Sequence, residues 1–236
     1  MTPSTGWSAA MPEDFPPTVS VSDGGVVCLH ADAEILILDK PAGLLCVPGR
    51  GPEKQDCLSR RAQQLWPGAL IVHRLDQATS GLVLMARNPE VQRRLGRAFE
   101  LRQVHKRYQA IVAGCMAPRP PHLWDTIDLP IAADWERRPL RIIDPVLGKP
   151  SLTRWRVLAH HPDVETTRVE LEPMTGRTHQ LRVHLAAVGH PILGDALYAD
   201  AAAHVRAPRL LLHAARLAFQ HPGTGQWLEA SSPLPF

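Results

Sequence analysis

No apolar run in this chain approaches the roughly 20 residues of a membrane-spanning helix. Met1 to Asp23 lacks the basic-then-apolar order of an export signal, so the default expectation is a cytoplasmic protein. Cysteine is scarce, and Cys28, Cys46, Cys57 and Cys115 form no C-x-x-C pair; reduced thiols fit better than a zinc site. No G-x-S-x-G turn is present to raise a serine nucleophile. Neither G-x-x-x-x-G-K-[ST] nor G-x-G-x-x-G occurs, which removes two common phosphate-cradling loops. The His-x-Glu and Pro-Cys-x-x-Cys signature of zinc deaminases is missing too. An enzyme built on this chain is therefore expected to use no nucleotide, metal or other cofactor.

What is present is ordinary in bulk and uneven in detail. A chain of 236 residues, 44% hydrophobic and 21% charged, fits one or two soluble domains. Residues 1–24, rich in Pro, Ser and Thr, read as a flexible leader, and 25–236 as the folded domain. The formal net charge is only +3, yet 22 of the 26 basic residues are Arg. Arg suits phosphate oxygens and stacks on bases; a GC-rich genome would produce the same bias without any functional reason. Seven basic residues (87, 93, 94, 97, 102, 106, 107) face only Glu90 and Glu100 between Arg87 and Arg107. Such a stripe suggests a surface that meets polyanions.

Val26 to Leu29 and Ile35 to Leu38 read as strands, and Lys-Pro-Ala-Gly (40–43) stops the second. Asp56 to Trp66 has helical spacing. Ala69 to Arg74 and Leu82 to Ala86 read as strands joined by a turn at 77–81. Asn88-Pro89 pairs an N-cap with Pro at the first helical position, and that helix should continue to about Arg102. Tyr108 to Ala113 alternates like a strand. Ala117 to Pro150 is irregular and Pro-rich, and long segments of this kind often carry function. Leu152 to Ala159 and Thr166 to Leu171 look paired; Thr178 to Val188 looks helical, capped by Thr178 and closed by Gly189. Arg209 to Phe219 and Gln226 to Glu229 read as final strands. Strands outnumber helices without regular βαβ alternation. This predicts an α+β fold, a single domain with a central, mostly antiparallel mixed sheet flanked by helices and loops.

Two segments could carry chemistry. In His73-Arg74-Leu75-Asp76-Gln77-Ala78-Thr79-Ser80-Gly81, strand alternation would put Val72, Arg74 and Asp76 on one face, just before a loop. Asp-x-x-Thr-Ser-Gly is equally good turn chemistry, with Asp and Thr satisfying backbone amides. In Gly176-Arg177-Thr178-His179-Gln180-Leu181-Arg182-Val183-His184, His179 and Arg182 share one helical face and Gln180 and His184 another. A solvated or RNA-facing polar side explains that pattern without catalysis. His179 and His184 are five apart, poor spacing for one metal.

The segment 73–81 resembles the signature of the RluA family of pseudouridine synthases. Lys-Pro-Ala-Gly-Leu (40–44), Lys-Arg-Tyr-Gln-Ala (106–110), Gly-Arg-Thr-His-Gln-Leu-Arg-Val-His (176–184), Pro-Ile-Leu-Gly-Asp-x-x-Tyr (191–198) and Leu-Leu-His-Ala (211–214) resemble its other motifs, in the family's order. The resemblance covers roughly Val26 to Phe236. It implies a pseudouridine-synthase-type catalytic domain over 25–236, with Asp76 as catalytic carboxylate and Tyr108 and Arg182 in support. Tyr108 would stack on the flipped base, Arg182 would pair with Asp76, and Arg74 would fill the space the base leaves. His73 and Arg177 would join Arg74 in binding substrate, and no metal or cofactor is implied. Many relatives carry an N-terminal S4 domain, for which the leader leaves no room. Leu-Cys-Val-Pro-Gly-Arg (45–50) and Asp-Leu-Pro-Ile-x-x-Asp-Trp-x-x-Arg-Pro (128–139) resemble the branch that acts on both 23S rRNA and the anticodon loop of certain tRNAs. The implied partners are therefore a tRNA anticodon stem-loop and a 23S rRNA hairpin, met by a cytoplasmic monomer. Phosphate contacts are expected from the helix after Asn88 and from the segment around Arg137, Arg138 and Arg141. The rivals are an RNA-binding or ribosome-assembly protein on the same fold, which would not need Asp76, Tyr108 and Arg182 together, and a metal-free hydrolase.

Overall fold

Alternate apolar residues of a strand serve opposite faces of its sheet, so a strand with helices on both sides reads as one continuous apolar run. Ile-Leu-Ile-Leu (35–38) and Leu-Val-Leu-Met-Ala (82–86) are such runs. A computed structural model describes residues 26–116 and 123–236; the expected leader, 1–24, lies outside the described residues. Among the described residues the strands are β1 (Val27–Ala31), β2 (Ile35–Lys40), β3 (Leu70–Ile71), β4 (Ser80–Ala86), β5 (His105–Ala113), β6 (Asp125–Asp128), β7 (Ile131–Ala133), β8 (Arg141–Ile143), β9 (Leu152–His161), β10 (Thr166–Pro173), β11 (Leu212–Gln220) and β12 (Trp227–Ser231). The α-helices are α1 (Leu58–Leu65), α2 (Pro89–Glu100), α3 (Gln180–Ala187) and α4 (Ala201–Val205).

The main sheet runs β1-β2-β4-β11-β5-β10-β9-β6, with β3 beside β4 and β12 beside β11. Among the described residues its pairs are antiparallel except β4 with β11, which makes it the mixed sheet expected. Leu36, Leu38, Val83 and Met85 pack with Leu58 and Ala62 of α1 on one face. Ile35, Ile37, Leu82 and Leu84 pack with Val91 and Leu95 of α2 on the other. The far half of the sheet, with Val169, Leu171, Val157 and Ala110, is covered by Leu181 and Leu185 of α3. Tyr108 touches both the α1 cluster and the α3 cluster, which places it at their seam.

One transverse row crosses that seam. Lys40 pairs with Gly81, Gly81 with Ala214, Ala214 with Tyr108, and Tyr108 with Leu171. Gly81 has φ +111°, and a Cβ there would lie 2.4 Å from the Ala214 carbonyl oxygen. Only glycine allows the two parallel strands to come together at this point.

Several local expectations need correction. The strand expected at 69–74 is only the two residues of β3, because His73 to Asp76 leave the sheet as irregular chain. Thr178 does not cap α3; His179 occupies the cap position at φ +57°, and no side chain closes that end. The cap of α2 is as expected, with Asn88 Oδ1 accepting from Val91 N–H at 2.9 Å. The described part of the Pro-rich segment is more ordered than its composition suggests, since β7 and β8 form a hairpin of their own. The basic stripe is only partly a surface. Arg107 is 6% exposed and lies between Glu170 and Glu172, beneath Trp124. Arg94 and Arg97 are paired with Glu90 and Glu100.

Candidate active site

His73 to Gly81 crosses from β3 to β4 as a loop braced from beneath. Lys40 is fully buried, and its ammonium donates to the carbonyls of Pro41, Leu44 and Gln77 at 2.9, 2.8 and 3.1 Å. Burial lowers its pKa to about 8, with the neighbouring Cys46 and Asp76 pulling the other way. Gly43 N–H donates to the Gln77 carbonyl, and the Gln77 side chain donates back to Gly43. The turn itself is closed by the backbone, Thr79 N–H to Asp76 C=O at 3.1 Å. The Asp76 carboxylate is thereby released from turn duty and points at α3.

There it meets Arg182, whose Nη1 lies 3.4 Å from Asp76 Oδ2. Arg182 is aimed by a second carboxylate. Its Nε and Nη2 donate to Asp195 Oδ2 and Oδ1 at 2.8 and 2.6 Å, with the two side chains 4% and 0% exposed. Burial opposes the guanidinium charge, but Asp195 and then Asp76 outweigh it and hold the pKa above the usual Arg value. Asp76 is the more exposed carboxylate of the pair, its side chain 23% accessible. The arrangement therefore offers one open carboxylate beside a cation fixed by a closed one.

His179 completes the group. Its Nε2 stands 3.9 Å from Asp76 Oδ1, and its Nδ1 is 2.6 Å from the Tyr198 hydroxyl. That hydroxyl accepts from Arg141 N–H of β8 at 3.0 Å. The hydroxyl thus lies between Arg141 N–H and His179 Nδ1, and Nε2 is the ring nitrogen that faces Asp76. Burial pushes the His179 pKa down against the pull of Asp76. A non-glycine residue at positive φ costs on the order of 1 kcal/mol, and at His179 that conformation brings the ring to the carboxylate.

All six residues singled out in the sequence line one cleft of about 710 Å³: His73, Arg74, Asp76, Tyr108, Arg177 and Arg182. Arg74 and Arg177 are exposed at its edge, and Arg177 also reaches the Pro150 carbonyl at 3.4 Å. Tyr108 is half-buried, its pKa raised by burial and by the Asp76 charge. His73 is held by its surroundings. Its Nε2 accepts from Leu84 N–H at 2.9 Å, its ring stacks on Phe99 at 4.6 Å, and burial with nearby Lys106 pushes its pKa down to about 3.

The polar residues of α3 do not form a solvated side. Gln180 donates to the Leu152 carbonyl and Thr153 Oγ1, and accepts from Thr175 and Arg177 N–H. His184, fully buried, bonds Thr153 Oγ1 and the Leu129 carbonyl. Both pin the helix to β9. Ser80 is no free nucleophile either: it is 3% exposed, in a chain running Arg209, Ser80, His213, Ser232, Asp39. Sequence reasoning missed Asp195 and Tyr198 as site residues, although both stand in the 191–198 segment. Their spacing alone gave no sign of what they would face.

The profile of the RNA pseudouridylate synthase family matches residues 34–187. The dual-specificity RNA pseudouridine synthase RluA of Pasteurella multocida (strain Pm70) is 45% identical over 211 residues, covering 88% of this chain and 93% of that protein. The chain belongs to the RluA family of RNA pseudouridine synthases. The RluA of Escherichia coli (strain K12) is 44% identical over 89% of this chain and 94% of its own length. Among solved structures, human RNA pseudouridylate synthase domain containing 1 superposes with a TM-score of 0.74 at 30% identity, covering 89% of this chain and 84% of that one. The synthase thus isomerises uridine in RNA, which decides against the binding-protein and hydrolase readings. No helix among its described residues is long and apolar enough to cross a membrane.

Proposed function

We propose that this synthase modifies uridines in a tRNA anticodon loop and in a 23S rRNA hairpin, with Asp76 as its catalytic carboxylate. The observation that carries the assignment is the open Asp76 carboxylate beside an Arg182 fixed by buried Asp195. The isomerisation breaks N1–C1′, turns the base and joins C5 to C1′; the C5 proton leaves and N1 gains one. A carboxylate beside C1′ and C6 serves the cleavage, and the reaction is redox-neutral and uses no cofactor. Tyr108 stacks on the flipped base at the seam, and Arg74 fills the vacated space from the rim. Unstacking a uridine costs a few kcal/mol, which these contacts offset. His73 shapes the wall, while Arg177 and the exposed arginines of α2 and the 134–141 loop hold phosphates and position the RNA without reading sequence. The dual substrate is supported by the names of the RluA relatives; a cytoplasmic monomer with one catalytic domain over 25–236 is part of the same proposal.

The test is tritium release from transcribed tRNA and from a 23S rRNA fragment, each labelled at C5 of uridine. Release from both, lost in Asp76→Asn while RNA binding persists, is the expected result. Substantial release by the variant sinks the assignment of Asp76. Release from one RNA alone sinks the dual substrate.

A further inference from the structure

Trp135 is 71% exposed on the loop that joins β7 to β8. A single exposed apolar residue needs no explanation on its own; the setting of this one is unusual. The Arg138 guanidinium lies over one face of its ring, 4.1 Å from the centroid. The loop is held by its own hydrogen bonds. Asp134, 7% exposed, accepts from Arg137 N–H at 3.1 Å and from Arg137 Nε at 2.8 Å. Its N–H donates to Leu140 C=O at 3.1 Å, and Leu140 N–H donates to Arg137 C=O at 2.9 Å. The indole is thus displayed by an ordered loop, at little cost in conformational entropy on contact.

The hairpin that carries the display is tied to the active site through a chain of contacts. Ala133 pairs with Arg141 at the loop end of the hairpin. Arg141 N–H bonds the Tyr198 hydroxyl, which bonds His179, which faces Asp76. Trp135 is two residues beyond Ala133, a reach of at most about 7 Å of chain. Its exposed charged neighbours are Arg137, Arg138 and Glu136, a net positive surround. A nucleobase on the free ring face, with its phosphate near the arginines, matches both features.

We propose that Trp135 is a stacking platform for an unpaired nucleobase of the substrate RNA, a neighbour of the reacting uridine. The inference rests on the reading of the cleft as an RNA site and adds a second aromatic contact outside it. One face of the indole is backed by Arg138, and the other takes the base. The platform favours looped RNA over paired RNA, because only an unpaired base has a face to offer.

The test compares Trp135→Ala and Trp135→Phe with the wild type for binding to a transcribed anticodon stem-loop and to a fully paired duplex of the same length. Base stacking on an aromatic side chain corresponds to a loss of roughly 5- to 150-fold on truncation to alanine. Trp135→Ala should weaken stem-loop binding by that factor and leave duplex binding and the thermal midpoint unchanged. Trp135→Phe should recover most of the loss. Unchanged stem-loop affinity in Trp135→Ala overturns the inference, as does an equal loss on loop and duplex. Tritium release by the wild type, read on the same samples, tests the uridine chemistry separately.

Discussion

Truncating Asp195 to alanine separates the two tasks of the buried ion pair. The carboxylate takes two hydrogen bonds from Arg182, at 2.8 and 2.6 Å, with both side chains almost inaccessible. It also accepts from Leu197 N–H and Tyr198 N–H. Asp195→Ala leaves the guanidinium buried with Asp76 at 3.4 Å as its remaining carboxylate. Removing one partner of a buried pair costs about 3–5 kcal/mol, because the other charge stays desolvated. A domain of this size loses about 2–4 °C per kcal/mol, so the thermal midpoint should fall by roughly 6–20 °C. The double variant Arg182→Met/Asp195→Leu removes both charges. Replacing a buried pair by apolar residues is often near neutral, so its midpoint should lie well above that of Asp195→Ala. Tritium release should be lost in the double variant and reduced on the order of 100-fold in the single one, since small misplacements of a reacting group cost that much. Thermal unfolding and single-turnover release on the same preparations read both quantities. A single variant that melts within about 2 °C of the wild type with full turnover refutes the reasoning.

Three further outcomes follow from other parts of the molecule. Tyr198→Phe deletes the hydroxyl between Arg141 N–H and His179 Nδ1; it should cost about 1–3 kcal/mol and lower kcat with RNA affinity kept, whereas an unchanged kcat removes the link to Asp76. Gly81→Ala places a Cβ 2.4 Å from Ala214 O and 2.6 Å from Ala214 N; β4 and β11 must separate, at a cost of more than about 3 kcal/mol, and an ordinary melting midpoint would contradict the close approach. His73, His184 and His213 all have pKa values lowered from 6.5 by burial, His73 to about 3. The unfolded chain then binds more protons than the folded one as pH falls below 6.5, so stability should drop with acidification by up to about 1.4 kcal/mol per pH unit for each neutral histidine. For His73 the window runs from 6.5 down to about 3. Urea unfolding at stepped pH checks it, and stability that stays flat across that window counts against the buried neutral imidazoles.

Much of the architecture was legible because it rests on local rules. The continuous apolar runs of β2 and β4, the Asn88 cap of α2 and Gly189 after α3 each act within a few residues. Thr178 was misread for the same reason. A threonine before a helical pattern satisfies the local rule, but His179 takes the cap position at positive φ and draws its ring toward Asp76. The side assigned to Gln180 and His184 failed similarly. A 3.6-residue period reports which residues share a face, not whether a polar face finds buried partners on β9. Arg107 read as part of a basic surface because Glu170 and Glu172, which flank it, are some sixty residues away in sequence.

The family, the strand-rich domain and six of the residues that line the cleft could be read from the chain, since motif order and periodicity are properties of the chain alone. Tertiary structure decided how those residues act on one another. Asp195 meets Arg182 across 13 residues, Arg182 meets Asp76 across 106, and Tyr198 joins α3 to a hairpin 57 residues earlier. Contacts at such separations are set by sheet order and helix packing. They fix which carboxylate is closed off as an anchor and which stays open to the cleft.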